Sequence, residues 1–320
     1  MSTVKVLQKI AAQVQAGESY ESGSMQLLPY TGGRITQMYN PIQDESIAGN
    51  AFRDIPQQGT RKVEGSGVAM QLDPTSIGPI LEAGFGNAVG GVYTLNGENT
   101  KKLSVATLDS VNCVRYSNVY VKTIAIEGSI DNLITCTAGM VVKDAQDRAA
   151  KTNFPSVSEF NDSLNFQEAG GVNGYVRIGD ANDSLSSSDD VDIDSFSFNI
   201  DNKFDHQYSN TSRGILTPVA AQGGFIDVSG SFTIARHNTD QYQDWADAHT
   251  PLQMSIMIYK SATSQALIEI PRFVVSPEIT EDDIAKINVD MTIGRNGVGS
   301  SYKNANMAFV SPIRVTIVNS

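Results

Sequence analysis

The sequence predicts a mainly β protein made of two similar halves, each with one short α-helix. Apolar and polar residues alternate over most of the chain, which is typical of half-buried strands. A strand that runs directly into a helix occurs twice, as VEGSGVAMQLDPTSIGPILEAG at residues 63–84 and VSGSFTIARHNTDQYQDWADAH at residues 228–249. Two alternating strands around a polar loop also occur twice, at residues 122–144 and 273–295.

Composition sets the broad class of the protein. The chain has 320 residues, of which 40% are hydrophobic, and this is enough for two domains with buried cores. Its formal net charge is −12. An acidic chain repels nucleic-acid phosphates at long range, so the chain is a poor candidate for a tight DNA- or RNA-binding protein, which normally carries a basic stripe.

The N-terminal segment, residues 1–29, is predicted to be an arm with a short amphipathic helix. Its apolar residues stand at helical spacing, namely Val4, Leu7, Ala11 and Val14. Neither this segment nor any other carries an apolar run long enough for a signal peptide or a membrane span. We therefore expect a soluble cytoplasmic protein with no membrane partner.

The first strand-to-helix passage has clear helix signals. Asp73 is a favourable N-cap, and Pro74 is favoured at the first helical position. The expected apolar face consists of Ile77, Ile80, Leu81 and Gly84. Gly84 and Gly86 are expected to end the helix.

The second passage repeats this organisation with different residues. Residues 228–235 alternate as a strand, and Asn238 or Thr239 can cap the helix that follows. The expected apolar face consists of Tyr242, Trp245, Ala246 and His249. Pro251 closes the helix.

The two halves can be aligned on these passages. Pairing Val63 with Val228 aligns the strands and helices, and pairing Met140 with Met291 aligns the two hairpins. The offsets differ, so the first half has about fourteen more residues between its helix and its hairpin, around VYTLNGENTKK, an insertion of a size that loops tolerate. The predicted organisation is an N-terminal arm at 1–29, a first domain at 30–150, a linker with an acidic loop at 151–190, and a second domain at 191–320.

The acidic loop, DANDSLSSSDDVD at residues 180–192, has two interpretations. Its carboxylates could gather a calcium ion, since hard cations bind clustered oxygens; they are Asp180, Asp183, Asp189 and Asp190. Their spacing is not that of an EF-hand, however, and charged segments with few apolar residues usually stay solvated. A solvated loop is the favoured interpretation.

No residue is predicted to be catalytic, to bind a cofactor or to ligate a metal. The three histidines, His206, His237 and His249, lack zinc-site spacing. Cys113 and Cys136 stand in apolar strand segments and are expected to be buried and reduced.

Two further patterns carry no chemistry. GFGNAVGG (residues 84–91) follows a helix and has the wrong glycine spacing for a nucleotide loop, so it is interpreted as a helix stop and a flexible turn. The carboxylates of the second helix are Asp240, Asp244 and Asp247, and a solvated face explains them. These patterns favour a protein that is not an enzyme.

The second half resembles the major tail tube proteins of long-tailed, siphovirus-like bacteriophages. The resemblance lies in SFSFNIDN (195–202), a long loop ending in GILTPVAAQGG (214–224), the strand VSGSFTIA (228–235), a short helix and a final hairpin. It extends over about residues 191–318. Residues 30–144 resemble the same family more loosely, and their opening hairpin, GGRITQMYNPIQDES, departs from its pattern.

This resemblance implies two tandem tube domains, each a β-sandwich or half-barrel with one flanking helix. It implies stacked rings around a channel, with three duplicated chains forming a pseudo-hexameric ring. The implied partners are other copies of the chain, a tape-measure protein, tail terminator and distal tail proteins, and double-stranded DNA that passes without tight binding. The implied location is the virion tail, assembled in the host cytoplasm. A neutral to acidic lumen and ring-bridging loops such as 203–224 follow from the same resemblance.

Two rival functions remain at the level of sequence. A minor tail, baseplate or adhesion protein could also be built of duplicated β-sandwich modules. A sugar-cleaving β-enzyme would need aromatic residues along a cleft, but Trp245 is the only tryptophan and stands on the apolar helix face. We therefore predict a non-enzymatic structural protein.

Overall fold

The computed structural model describes residues 9–42, 57–144, 146–160, 162–207, 220–222, 225–235, 239–278, 286–294, 307 and 309–319. The described chain is mainly β, as predicted.

The elements up to the middle of the chain are β1 (Lys9–Gln15), β2 (Gln26–Leu27), β3 (Tyr30–Ile42), β4 (Gln57–Gln71), α1 (Gly78–Phe85), β5 (Gly86–Val89), β6 (Val92–Leu95), β7 (Lys102–Leu108), β8 (Asn112–Ser129), β9 (Thr135–Val142) and β10 (Asp147–Ala150). Those that follow are β11 (Tyr175–Asp180), β12 (Ile193–Asp201), β13 (Asp205–Gln207), β14 (Ala220–Gln222), β15 (Asp227–Ala235), α2 (Thr239–Asp247), β16 (Leu252–Ser261), β17 (Ser264–Glu278), β18 (Lys286–Ile293) and β19 (Arg314–Asn319). Short 3₁₀ turns lie at Lys151–Asn153, Phe166–Gly170 and Ser187–Asp189.

The same antiparallel strand order occurs twice. In the first half the order is β1–β7–β8–β9–β4–β3. In the second half it is β11–β16–β17–β18–β15–β12. In addition, β10 pairs with β8 as β19 pairs with β17. The hairpin β5–β6 lies between the helix of the first half and β7, where the alignment of the halves places its extra residues, whereas residues 248–251 alone connect α2 with β16.

In each half, one long strand pairs with two different groups of strands, one along its first part and one along its second part. The first part of β8 pairs with β7 and β10, and its second part pairs with β9. In the same way, β17 pairs first with β16 and β19 and then with β18. Buried side chains from both parts of both halves belong to one continuous hydrophobic core.

The two halves meet at two places. Residues 123–129 of β8 pair with β12, which joins the halves in the middle of a continuous sheet. At the other junction, β19 pairs with β6 of the first half. Around it, the Leu95 N–H donates to Ser311 Oγ at 3.0 Å, and Asn319 Nδ2 donates to the Pro74 carbonyl at 2.8 Å.

The predicted N-terminal helix is wrong for residues 9–15, which form strand β1. β1 pairs with β7 over its whole length, and Ile10 and Ala12 are fully buried. Ala11 and Val14 fit a helical spacing, but Ile10, Ala12 and Val14 also fit the alternation of a strand, and the neighbouring edge of β7 decides between them. Val4 and Leu7 lie outside the described residues.

Helix α1 begins later than its sequence signals predicted. It starts at Gly78, and Asp73 instead holds a tight turn: Asp73 Oδ1 accepts from the Thr75 N–H at 2.9 Å. Asp73 is fully buried and also accepts from the Asp162 N–H through Oδ2, so it fastens the linker to this turn. The predicted apolar face is buried, as expected, at Ile77, Ile80, Leu81 and Gly84.

The glycines after α1 do more than end the helix. Gly86 is the C-cap with φ 82°, as predicted, but Gly84 lies inside the helix. Gly90 and Gly91, with φ 59° and 79°, form the tight turn of the β5–β6 hairpin. A Cβ on Gly91 would lie 2.3 Å from the Ile317 carbonyl oxygen, so the hairpin lies close against β19.

Helix α2 anchors the second half through Tyr242. This side chain is 1% exposed, and its ring lies 5.6 Å from Phe232 and 5.3 Å from Trp245. Trp245 and Ala246 are half-buried against the core. His249 is exposed, which corrects the predicted face: the helix ends at Asp247, and His249 adopts φ 52° beyond it.

The carboxylates of the acidic loop make contacts close to the loop itself. In the acidic loop, Asp189 Oδ2 accepts from the Ser186 N–H at 2.7 Å, and Asp190 pairs with Arg177 at 2.7 Å. These carboxylates therefore form local hydrogen bonds.

Cys113 and Cys136 are free and buried, as predicted, and burial raises the pKa of the Cys136 thiol to about 12.

Replacing Gly84 by alanine should destabilise the protein, although the same change stabilises most helices by about 0.5–1 kcal/mol. A Cβ at this position would lie 2.0 Å from Ile124 Cδ1, so the α1–β8 contact must open. We expect a loss of about 1–3 kcal/mol in the free energy of unfolding, measured by urea denaturation.

Gly97→Ala is the matched control because a Cβ there meets nothing within 4 Å. Its free energy of unfolding should stay within about 0.5 kcal/mol of the parent. A Gly84→Ala protein as stable as the Gly97→Ala control would show that α1 does not pack on β8 as described.

Candidate channel-lining face and assembly edges

The candidate functional surface is a continuous sheet of eight strand segments. Their order is β3, β4, β9 and the second part of β8, followed by β12, β15, β18 and the second part of β17. Each half contributes four segments, and the β8–β12 pairing joins them. The described ends of this sheet are therefore β3 and β17.

One face of this sheet is apolar and buried. Ile124 and Ile126 of β8 and Phe196, Phe198 and Ile200 of β12 are at most 2% exposed. Because side chains alternate between the faces of a strand, the residues between these positions point to the opposite face. The register of the strands thus sets which residues the opposite face presents.

The opposite face, here called the polar face, carries mostly hydroxyl, amide and carboxylate groups. Its residues in β8, β9, β12, β15 and β18 include Thr123, Ala125, Glu127, Ser129, Thr135, Thr137, Ser195, Ser197, Asn199, Asp201, Asp227, Ser229, Ser231, Thr233, Asn288, Asp290 and Thr292. All of them are half-buried or exposed. The ionisable members of this set are acids, whereas Arg34 of β3 and Lys62 of β4 stand on the same side of the sheet, next to buried Ile35 and Val63.

Hydrogen bonds between neighbouring strands hold parts of the polar face in place. Ser195 Oγ donates to Thr233 Oγ1 at 3.1 Å, which links β12 to β15. Ser197 Oγ donates to Glu127 Oε1 at 3.3 Å across the junction of the halves. Many of the hydroxyls on these strands can thus form hydrogen bonds with one another or with water.

One end of the polar face is closed by a lysine between two carboxylates. Lys203 Nζ lies 2.7 Å from Asp201 Oδ2 and 2.8 Å from Asp227 Oδ2. Hydrogen bonds to these two carboxylates raise the pKa of Lys203. Its charge is therefore balanced locally by acids of the same face.

The motif SFSFNIDN forms the junction itself. It supplies β12, and the residue after this strand, Asn202, donates from Nδ2 to the Gly84 carbonyl at 2.8 Å and to the Val121 carbonyl at 2.9 Å. The second half is thereby tied to helix α1 of the first half. Sequence reasoning noticed this motif but not its contacts with the first half.

A glycine fits the two halves together at this junction. A Cβ on Gly128 of β8 would lie 2.5 Å from Phe196 Cε1 of β12. Phe196 in turn packs against Phe166 and Phe198, with ring centroids 5.3 Å and 5.2 Å apart. The aromatic cluster therefore depends on the absence of a side chain at position 128.

The strands at the two ends of the sheet are β3 and β17, and the corresponding strands of the other half are β12 and β8. β12 and β8 pair with each other at the junction of the halves. Within the described residues, β3 pairs with β4 and β17 beyond Phe273 pairs with β18, and no strand covers their outer edges. Met38 and Tyr39 on β3 are 49% and 42% exposed. Exposed apolar side chains on an open strand edge indicate a contact surface.

In the described part of the chain, His206 and His249 do not form a cluster with either cysteine. His249 is exposed, and His237 lies outside the described residues. His206, in β13, comes close to Glu64 of β4 and to Asp205. Sequence spacing gave no sign of this cluster, because Glu64 and His206 belong to different halves and only the fold brings them together.

The long loop 203–224 is described only at its two ends. These ends, β13 and β14, pair as a short antiparallel ribbon. Phe204 is buried next to this ribbon, and its ring lies 5.2 Å from Tyr120 of β8. The base of the loop therefore packs on the first half.

Comparison with known proteins identifies the class of the chain. Residues 11–293 match the family model described as phage tail tube protein. No curated protein matched the sequence. No helix within the described residues is long and apolar enough to cross a membrane.

Changing Gly128 to alanine should weaken the junction of the halves selectively. The added methyl group must displace Phe196, so β8 and β12 should separate more often. We expect faster amide hydrogen exchange in residues 123–129 and in β12, with little change in the contact of α2 with β17. Gly170→Ala, where a Cβ meets nothing within 4 Å, is the control. Unchanged exchange in β12 would contradict the described junction.

Proposed function

The chain belongs to the phage tail tube protein family, and from this premise we propose that it polymerises into stacked rings whose bore is the channel for viral DNA. As a member of this family it is a structural component of a phage tail. The observation that carries the proposal is the eight-segment sheet, which has one polar face and two edges that no described strand covers.

The repeated strand order supports two tube modules in one chain. Each module is a tail-tube-type β-sandwich or half-barrel with its helix on the flank. In the chain, the outer edge of the first module is paired by β12 of the second. The equivalent edge of the second module is β17, and the equivalent of β12 is β3. We infer that β17 pairs with β3 of the next copy, and that three chains close a pseudo-hexameric ring.

The alignment of the modules gives a register for this contact. Thr123 pairs with Asp201 at the junction, and their equivalents are Ser276 and Met38. Pro277 has no backbone N–H to donate, so at this residue the contact can use only the carbonyl group, and the other backbone hydrogen bonds must come from neighbouring residues. Met38 and its neighbour Tyr39 would then be covered by the next copy.

The polar face would line the bore. DNA moves through a channel only if phosphates are not held, and a lining of hydroxyls and carboxylates offers no counterion release. Glu127, Asp201, Asp227 and Asp290 make the part of this face on β8, β12, β15 and β18 acidic, in keeping with the net charge of −12. The channel would thus conduct DNA without tight binding.

Stacking and partners complete the proposal. The connections β3–β4 and β12–β15 leave the same end of the sheet, so the long loop 203–224 is placed to reach the next ring. A tape-measure protein would fill the bore before DNA, and tail terminator and distal tail proteins would cap the two ends of a siphovirus-type tail. Assembly would occur in the host cytoplasm.

Cysteine cross-linking tests both the ring contact and the number of chains. The double variant Ser276→Cys with Met38→Cys places one thiol on each proposed edge, at the separation that opposite strand residues have. Oxidation should give dimers and closed trimers on a non-reducing gel, with no larger species. The native cysteines should not interfere because both are buried.

The single variants and the pair Ser276→Cys with Arg34→Cys are controls, since Arg34 lies four residues from the proposed partner. They should cross-link poorly. A ladder that extends to six chains would replace the trimer by a hexamer. A protein that stays monomeric at all concentrations would favour a minor tail or adhesion protein instead.

Adding positive charge to the polar face should make tubes retain DNA. In Asn199→Lys with Asp290→Lys, each new lysine can pair with a phosphate, so duplex DNA should bind with an affinity that falls steeply with salt. Filter retention of DNA by assembled tubes at several salt concentrations measures this. Asp192→Lys, an exposed position outside the polar face, is the control and should bind little DNA. Equal retention by both variants would show that the polar face does not line the bore.

A further inference from the structure

Glu64, Asp205 and His206 form a cluster that connects the two halves. Glu64 belongs to β4, and the other two residues belong to β13 at the base of the long loop. His206 Nδ1 lies 3.6 Å from Glu64 Oε1 and 4.0 Å from Asp205 Oδ1. One possible ligand atom from each residue lies within 4.8 Å of the others.

The imidazole of His206 is buried and oriented. Its side chain is 1% exposed, and Nε2 lies 3.0 Å from the Val142 carbonyl oxygen. A carbonyl oxygen only accepts hydrogen bonds, so Nε2 carries the proton. Nδ1 then faces the Glu64 and Asp205 carboxylates, and a positive charge at this position, carried by a proton or by a metal ion, would be attracted by both.

We propose that these three residues bind a first-row divalent cation, with zinc as the test ion. One imidazole nitrogen and two carboxylate oxygens are a suitable donor set for such ions. Tetrahedral ligands around zinc stand about 3.3 Å apart, so the side chains need to move closer by up to about 1.5 Å. Val142 would hold the second ring nitrogen, as carbonyls commonly do for metal-bound histidine.

A lysine next to the cluster competes with the ion. Lys62 Nζ lies 2.9 Å from Glu64 Oε1, the same oxygen that faces His206. Its ammonium group supplies part of the positive charge that the carboxylate requires. Binding of a divalent cation must displace or repel it, and removal of this lysine should strengthen the site.

The bound ion would fix the β13–β14 ribbon to the first half. Asp205 is 68% exposed, so an ion can enter from solvent, whereas Glu64 and His206 close the inner side. An ion that binds only the folded chain stabilises it by mass action. Glu64 stands on the same side of the sheet as the polar face but outside the strands whose residues were named for it, and metal binding goes beyond the proposed channel function.

Zinc titration of the full chain by calorimetry, with the change in Tm recorded alongside, tests the site. We expect one saturable zinc ion per chain and a rise in Tm. Glu64→Gln and His206→Gln should each lower the affinity at least about tenfold. Lys62→Gln should raise it several-fold, a gain that a merely structural role of these residues would not produce.

His249→Gln, at an exposed histidine outside the cluster, is the control and should bind zinc as the parent does. If His206→Gln fails to fold, zinc affinity is compared in Asp205→Asn and Lys62→Gln instead. Asp205 is exposed, and its replacement should weaken zinc binding. Absence of saturable zinc binding, equal binding by Glu64→Gln and the parent, or no gain in Lys62→Gln would overturn the proposal.

Discussion

The pairing of β12 with the second part of β8 is the contact on which the rest of the structure depends. Through this pairing, a strand of the second half supplies hydrogen-bond partners for the backbone groups at the outer edge of the first half. The pairing also joins eight strand segments into one sheet. The fit is specific because Gly128 leaves room for Phe196 and Asn202 reaches back to α1. A strand edge that is left open presents unpaired N–H and C=O groups. At this junction the backbone groups of the strand edge find partners within the chain. No described strand pairs with the outer edges of β3 and β17, and the need to pair these edges is the driving force for the proposed ring.

Register links this contact to the chemistry of the surface. Side chains alternate with a period of two, so a shift by one residue would move every hydroxyl and carboxylate of the polar face into the core. The aromatic residues Phe196 and Phe198 alternate with Ser195, Ser197 and Asn199, and burial of the former therefore enforces exposure of the latter. The packing that stabilises the sheet also fixes the composition of the proposed bore, and no separate device is needed to place its acids.

The sequence predicted the elements whose signals are local. Alternation located β4, β15 and the hairpins, and helical spacing located the buried face of α1. Errors arose where two spacings coincide or where a neighbour decides: residues 9–15 fit both a helix and a strand, and the edge of β7 selects the strand. The start of α1 moved because Asp73 is engaged by the linker as well as by its own turn. The Glu64–His206 contact was beyond prediction, since it depends on which strands of different halves become neighbours.

The two halves differ at the β5–β6 hairpin, and this difference affects the contacts expected in the proposed ring. The β5–β6 hairpin grows from the first half and pairs with β19 of the second. The equivalent of β19 in the first half is β10, which among the described strands pairs with β8 alone. In the proposed ring, the second half of each chain has no hairpin to offer to β10 of the next copy. Contacts within a chain and contacts between chains would therefore alternate around the ring. A ring of six identical single modules cannot have this alternation, because each of its contacts is the same. The proposed duplication would thus permit one set of interfaces to be strengthened as part of folding, while the other set would form only during assembly.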